Sequence, residues 1–222
     1  MNMQISHSDT GNGKRGRFIT IEGVEGVGKS TNLTYTADYL RGRGLKVVAT
    51  REPGGTPVAE AIRNLLLEPD AVGMSDLCEL LLVFAARASH LDKLIRPALE
   101  SGEWVVCDRF TDATFAYQGG GRGLGPDTIA QLERLVQGEM RPDLTILLDA
   151  SLEVAQDRRR LRGITDRFEA EAAAFFLRVQ DAYRELARAE PERIRRVDAG
   201  RPLAAVQANI AEELERFVEL MS

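Results

Sequence analysis

The chain has 222 residues, 44% of them apolar, and 29 Lys and Arg against 34 Asp and Glu give a net charge of −5. That length and apolar content suit one sizeable α/β domain and exclude a disordered chain, while the acidic balance argues against a nucleic-acid coat, which needs a basic surface. No apolar run reaches the ~20 residues of a membrane span and the N-terminus has no signal-peptide core, so a cytoplasmic protein with no membrane partner is expected.

Residues 1–16 are polar and Gly-rich and read as a disordered tail preceding a single domain over 17–222. The order of elements is then a strand over 17–22, a helix over 30–44, a strand over 46–50 and a helix over 57–68. A long helix over 75–101 follows, with a kink or break at Pro97. Next come a strand over 104–107, a helical stretch over 111–118, a glycine turn over 119–125 and a helix over 127–138. The remainder reads as a strand over 144–148, helices over 152–161 and 169–189, a strand over 193–197 and a helix over 203–221. Strands alternating with helices predict a doubly wound, five-stranded parallel sheet flanked by helices. Cys78 and Cys107 have no metal-like spacing and are expected as two reduced, buried thiols.

The most informative stretch joins the first strand to the first helix. Gly23, Val24, Glu25, Gly26, Val27, Gly28, Lys29, Ser30 and Thr31 fit the P-loop pattern G-x-x-x-x-G-K-S/T in its strand–loop–helix context. Its glycines let successive N–H groups point inward at phosphates, and the helix N-terminus adds partial positive charge. Lys29 is suited to the β- and γ-phosphates of a triphosphate, and the Ser30 hydroxyl to Mg²⁺.

A P-loop does not identify what receives the phosphoryl group. A GTPase should carry Asn-Lys-x-Asp, and no Asn here is followed by Lys; the Asp-x-x-Gly match ending at Gly73 follows a helix, not a strand. A remodelling ATPase should end a strand in Asp-Glu, and no predicted strand does. A small-molecule kinase needs a second anion site and an arginine-bearing lid. Arg51 and Arg109 each follow a strand and so fall at the carboxyl edge beside the P-loop, where paired guanidiniums suit one phosphate. Arg158, Arg159, Arg160 and Arg162, followed by Arg167, form a candidate lid near 158–168 that suits the charge spread over a transferring phosphoryl group. Asp149 also ends a strand, but Asp108 is preferred near the metal because Arg109 and the Tyr117-Gln118 segment accompany it.

These segments together resemble the bacterial thymidylate kinase family: IEGVEGVGKST at 21–31, TREPGGT at 50–56, FAAR at 84–87, Asp108-Arg109, AYQGGG at 116–121 and Asp166-Arg167. The resemblance runs from about Phe18 to the C-terminus. It implies transfer of the γ-phosphoryl of ATP to dTMP, giving dTDP and ADP for dTTP biosynthesis, with Mg²⁺ and a homodimer. It further implies that Glu25 meets the sugar 3′-hydroxyl, Arg51 and Arg109 grip the dTMP phosphate, and Asp108 sits near Mg²⁺ through water. Phe84 stacks on thymine in this scheme, with Val83 the competing position. Arg87 bonds thymine O4, Thr114 and Gln118 complete base recognition, and Tyr117 crowds the sugar 2′ position. Some relatives carry an Arg where Gly26 stands, which assigns the transition-state cation here to the lid, with Arg158, Arg160 and Arg162 as rivals. Another nucleoside-monophosphate kinase, or a nucleotide-binding regulatory module without turnover, are the alternatives.

Overall fold

The computed structural model describes residues 15–68, 73–160 and 171–221. Five strands, β1 (Phe18–Glu22), β2 (Val47–Arg51), β3 (Trp104–Asp108), β4 (Leu144–Asp149) and β5 (Ile194–Asp198), form one sheet in the order β2-β3-β1-β4-β5. Every pairing is parallel, with Ile21 opposite Asp108 and Glu22 opposite Leu147 at the carboxyl ends. All five residues of β1 are buried, as befits a central strand covered on both faces by helices. After β1 the chain winds outward to β2, returns to β3, then crosses β1 to β4 and β5. That reversal opens a crevice beyond the carboxyl end of β1, where open α/β sheets bind ligands.

The helices are α1 (Lys29–Gly42), α2 (Pro57–Leu67), α3 (Asp76–His90), α4 (Arg96–Glu100), α5 (Thr111–Thr114), α6 (Pro126–Gln137), α7 (Leu152–Arg160), α8 (Ala173–Ala189) and α9 (Leu203–Met221). Predicted and observed boundaries differ by a few residues, as helix and strand ends do. Two differences are physical. The expected break at Pro97 is absent: α3 runs into α4 through a π-helical turn, Leu91–Ile95, in which the Arg96 N–H bonds the Leu91 carbonyl. The wider turn just ahead of Pro97 shifts the hydrogen-bond register that an α-helical proline would disrupt. A second π-helical turn, Phe115–Gly121, continues α5 into the predicted glycine turn.

Those glycines are spacers for α8. A Cβ at Gly120 would lie 2.6 Å from the Ala182 Cβ, and one at Gly121 would lie 2.5 Å from the Phe175 ring. The main core joins Ile19, Ile21, Leu40 and Val106 to Phe176, Val179, Ile210 and Leu214, so it seats α1, α8 and α9 on the sheet. A second cluster, including Phe18, Leu91, Ile95, Leu99, Val105 and Phe110, lies beneath the α3–α4 run. Cys107 belongs to this cluster and is buried as expected, but Cys78 is exposed on the first turn of α3. Of the expected tail, residues 1–14 lie outside the described residues, whereas the Gly16 N–H donates to the Leu99 carbonyl at 2.8 Å.

Candidate active site

The loop between β1 and α1 builds the first wall. Gly28 caps α1 at φ 95° and among the described residues no side chain caps that end, which leaves the first-turn amides as donors for an anion. Val24 and Val27 are buried and anchor the loop to the core. A Cβ on Gly26 (φ 87°) would lie 2.1 Å from the Ala155 carbonyl oxygen of α7, so the loop and α7 fit only with glycine there. Lys29 is buried, its Nζ donating to the Val24 carbonyl at 3.1 Å and lying 3.7 Å from Glu25. Burial and Arg109 lower its pKa, against the pull of Glu25 and Asp108. Burial opposes ionisation of Glu25 too, but Lys29 and Arg109 overcome it and hold that carboxyl well below the ordinary range. Ser30 and Thr31 are exposed at the start of α1.

The second wall comes from β2 and β3. Arg51 and Asp108 lie opposite each other in register as the last residues of these strands. Arg109 follows at φ 71°, the left-handed value that among the described residues only it and glycines adopt. Such strain persists where surrounding bonds enforce it, and here they do. Its N–H donates to the Ile21 carbonyl at 3.0 Å. Its Nη1 donates to the Gly23 carbonyl at 3.0 Å and the Tyr183 hydroxyl at 3.1 Å. Its Nη2 donates to the Tyr117 hydroxyl at 2.9 Å and also bonds Glu25. Arg109 therefore ties the P-loop to Tyr117 and the second wall. Arg51 is half-exposed, with Nη2 2.8 Å from Glu60 Oε2. Among the described residues, Asp108 Oδ1 is buried without a hydrogen-bond partner.

A cavity of about 230 Å³ runs from the P-loop to the inner face of α3. Glu25, Gly26, Gly28, Lys29, Ser30, Arg51, Arg87, Asp108, Arg109, Thr114, Tyr117 and Gln118 all line it, so residues scattered over nearly 100 positions meet at one site. Phe84 does not line it. One residue earlier, Val83 does, because successive helical side chains point about 100° apart. Phe84 instead packs in the core and supports Arg87, whose guanidinium carbon lies 4.9 Å from the Phe84 ring centroid and 4.8 Å from that of Phe110. Arg87 Nε donates to Glu52 Oε2 at 2.7 Å and Nη2 to Thr114 Oγ1 at 3.0 Å, while its buried Nη1 has no partner among the described residues.

Beneath the site, Glu22 accepts from the Phe110 N–H and the Tyr183 hydroxyl, both at 2.7 Å. Burial, with the Asp112 charge adding to it, pushes its pKa up to about 8 against the pull of Arg109. Asp149 is occupied by Arg184 (Nε 3.0 Å) and by Gln180 (2.9 Å). Arg158 donates to the Ala199 carbonyl at 2.9 Å, away from the cavity lining. The side chain of Arg160 and all of Arg162, Asp166 and Arg167 lie outside the described residues, as does the start of the Asp-x-x-Gly match.

Arg63 of α2 also lines the cavity, with Leu66 and Leu67 one turn on; helical spacing from the loop-bound Glu60 is the local signal that could have found it. Tyr183, Glu52 and Glu79 support the site through long-range contacts that leave no local signal.

Residues 21–210 match the family described as thymidylate kinase. A curated thymidylate kinase of Pseudomonas syringae pv. tomato is 58% identical over 205 residues, covering 92% of this chain and 98% of the relative. One from Chromohalobacter salexigens is 60% identical over 201 residues, covering 90% and 95%. The crystal structure of thymidylate kinase from Ehrlichia chaffeensis superimposes with a TM-score of 0.74 at 35% identity, covering 90% of this chain and 99% of that one.

Proposed function

The chain belongs to the thymidylate kinase family and transfers the γ-phosphoryl of ATP to dTMP, and we propose that the cavity between the P-loop and α3 is where the two nucleotides meet. The observation that carries this reading is the continuity of one cavity from the buried Lys29 to Arg87 on α3. The P-loop amides and Lys29 hold the ATP phosphates. Arg51 and Arg109 grip the acceptor phosphate, with Glu25 beside the sugar. Arg87, Thr114, Gln118 and Tyr117 enclose the base and sugar, and Val83 takes the wall position first expected of Phe84.

The acceptor is an ionised phosphate oxygen, so no strong base is required, and the protein's work is alignment and charge neutralisation. Arg109 serves both, because it is bonded to the P-loop at Gly23 and to the acceptor wall at Tyr117. Among the described residues no cluster of three His, Cys, Asp or Glu could hold a metal by itself. The Ser30 hydroxyl and the orphaned Asp108 Oδ1 instead suit Mg²⁺ that arrives with phosphate oxygens and waters. When bound, that ion supplies countercharge to the phosphates. The lid arginines complete the transition-state charge in this reading, with Arg160 and Arg162 favoured over Arg158, which is engaged with Ala199.

A homodimer fits the apolar surface of α2 and α3, where Val58, Leu65, Leu77 and Leu81 are each about half-exposed or more. Among the described residues no helix is long and apolar enough to cross a membrane, and a cytoplasmic site is part of the same reading. The acceptor assignment is tested by ADP release with ATP and, in turn, dTMP, dUMP, CMP, GMP and AMP. dTMP should give the highest kcat/KM by a wide margin, and any other acceptor surpassing it would overturn the reading.

A further inference from the structure

Two buried carboxylates touch the base-facing side chains from behind. Glu79, on the first turn of α3, is 1% exposed and accepts from Gln118 Nε2 at 2.8 Å. The same carboxylate is held by Arg122, with Nη2 at 3.1 Å and Nε at 3.3 Å. Glu52, 5% exposed, accepts from Arg87 Nε at 2.7 Å, and its other oxygen meets His90 Nδ1 at 3.0 Å. His90 Nε2 is in turn 2.8 Å from Thr50 Oγ1.

An amide side chain can present either its donor or its acceptor end, and a carboxylate can only accept. Glu79 therefore claims the NH₂ group of Gln118 and leaves the amide oxygen to the cavity. Turning that amide over would set its oxygen against a buried carboxylate oxygen. Glu52 pins the Nε edge of Arg87, whose side chain lines the same cavity and whose buried Nη1 has no partner among the described residues. The cavity wall thus carries one acceptor amide and one guanidinium, each held in a fixed orientation.

We infer that Glu79 and Glu52 are positioning residues that set the polarity of base reading, so that the site demands a pyrimidine with an N3–H donor and a 4-keto acceptor. Thymine offers that pair. Cytosine offers the reverse, an N3 acceptor and a 4-amino donor, and leaves both protein groups opposed. A site built this way rejects the mismatched base through its own unpaired polar groups. The inference rests on the dTMP reading above and adds how the chain enforces it.

Kinetics of Glu79→Gln with dTMP and dCMP test it. An amide at position 79 can donate to Gln118, which frees that side chain to present either end. The KM for dTMP should rise about tenfold, the worth of one oriented hydrogen bond. The dTMP-to-dCMP ratio of kcat/KM should fall by at least as much, with kcat and the KM for ATP changed far less. The charge-conserving double variant Glu79→Gln/Gln118→Glu restores an accept-only group facing the base and should recover most of the ratio. A Glu79→Gln enzyme with an unchanged dTMP-to-dCMP ratio overturns the inference. If the single variant does not fold, a folded double variant that has lost the preference overturns it equally. Wild-type protein that does not prefer dTMP would refute the dTMP reading itself, before any variant is made.

Discussion

Arg109 and Tyr117 are joined twice: Nη2 donates to the phenol oxygen at 2.9 Å, and the guanidinium carbon lies 4.6 Å from the ring centroid. The ring holds the plane of the guanidinium while the hydroxyl fixes its rotation. Tyr117→Phe keeps the first and removes the second, so the Kd for dTMP should rise about three- to tenfold. Arg109→Ala removes the proposed phosphate grip itself and should cost about a hundredfold or more. Calorimetry with dTMP and with ATP separately checks both. Equal losses for the two nucleotides would count against a role on the acceptor side.

Lys29→Ala should lower kcat by about a thousandfold, because in the proposed reading the transferring phosphoryl group loses a preorganised cation. Among the described residues the Lys29 amine bonds its own loop at Val24 and pairs with Glu25. The fold should therefore survive, and the variant should retain a cooperative thermal transition. Near-normal turnover would refute the placement of the triphosphate.

Glu22 makes a pH prediction. Its folded pKa of about 8 lies above its ordinary value of 4.5, so between those values the folded state holds a proton that the unfolded state has released. Stability from this group is fully present below about pH 4.5 and is lost as pH rises toward 8. Glu22→Gln cannot titrate, so the difference in Tm between wild type and variant should shift in favour of the variant from pH 5 to pH 8. Parallel Tm curves over that range would show that Glu22 is not the group responsible.

Gly120→Ala should destabilise the fold by about 1–3 kcal/mol, since its added methyl would meet the Ala182 Cβ at 2.6 Å and the Arg178 carbonyl at 2.9 Å. Urea denaturation measures the cost. A matching change at Gly123, where nothing lies within 4 Å but φ is 79°, should show backbone strain without a packing clash. The dTMP KM separates the two, because only Gly120 lies in the turn that carries Tyr117 and Gln118.

The parallel sheet and its helices were legible because β1, β3 and β4 are short, largely apolar runs between helical segments. The P-loop and Arg51 were legible for the same reason: their neighbours in sequence are also their neighbours in space. The choice between Phe84 and Val83 stayed open in the sequence because one residue turns a helical side chain by about 100°, and no local pattern says which of the two meets the cavity; Val83 lines it. Glu79 and Tyr183 were missed because they act on partners 39 and 161 residues away. The π-helical turns were missed because a shift of hydrogen-bond register leaves the residue types of a helix unchanged.

The contact between Gly26 and the Ala155 carbonyl has an evolutionary consequence. A lineage with this packing cannot install an arginine at position 26 by one substitution, since even the first side-chain carbon would arrive 2.1 Å from that oxygen. Helix α7 would have to be reseated first, so the identity of residue 26 and the seat of α7 are inherited as a pair. Chimeras that exchange the P-loop alone with an arginine-bearing relative should fail, and those that exchange the loop together with α7 should fold.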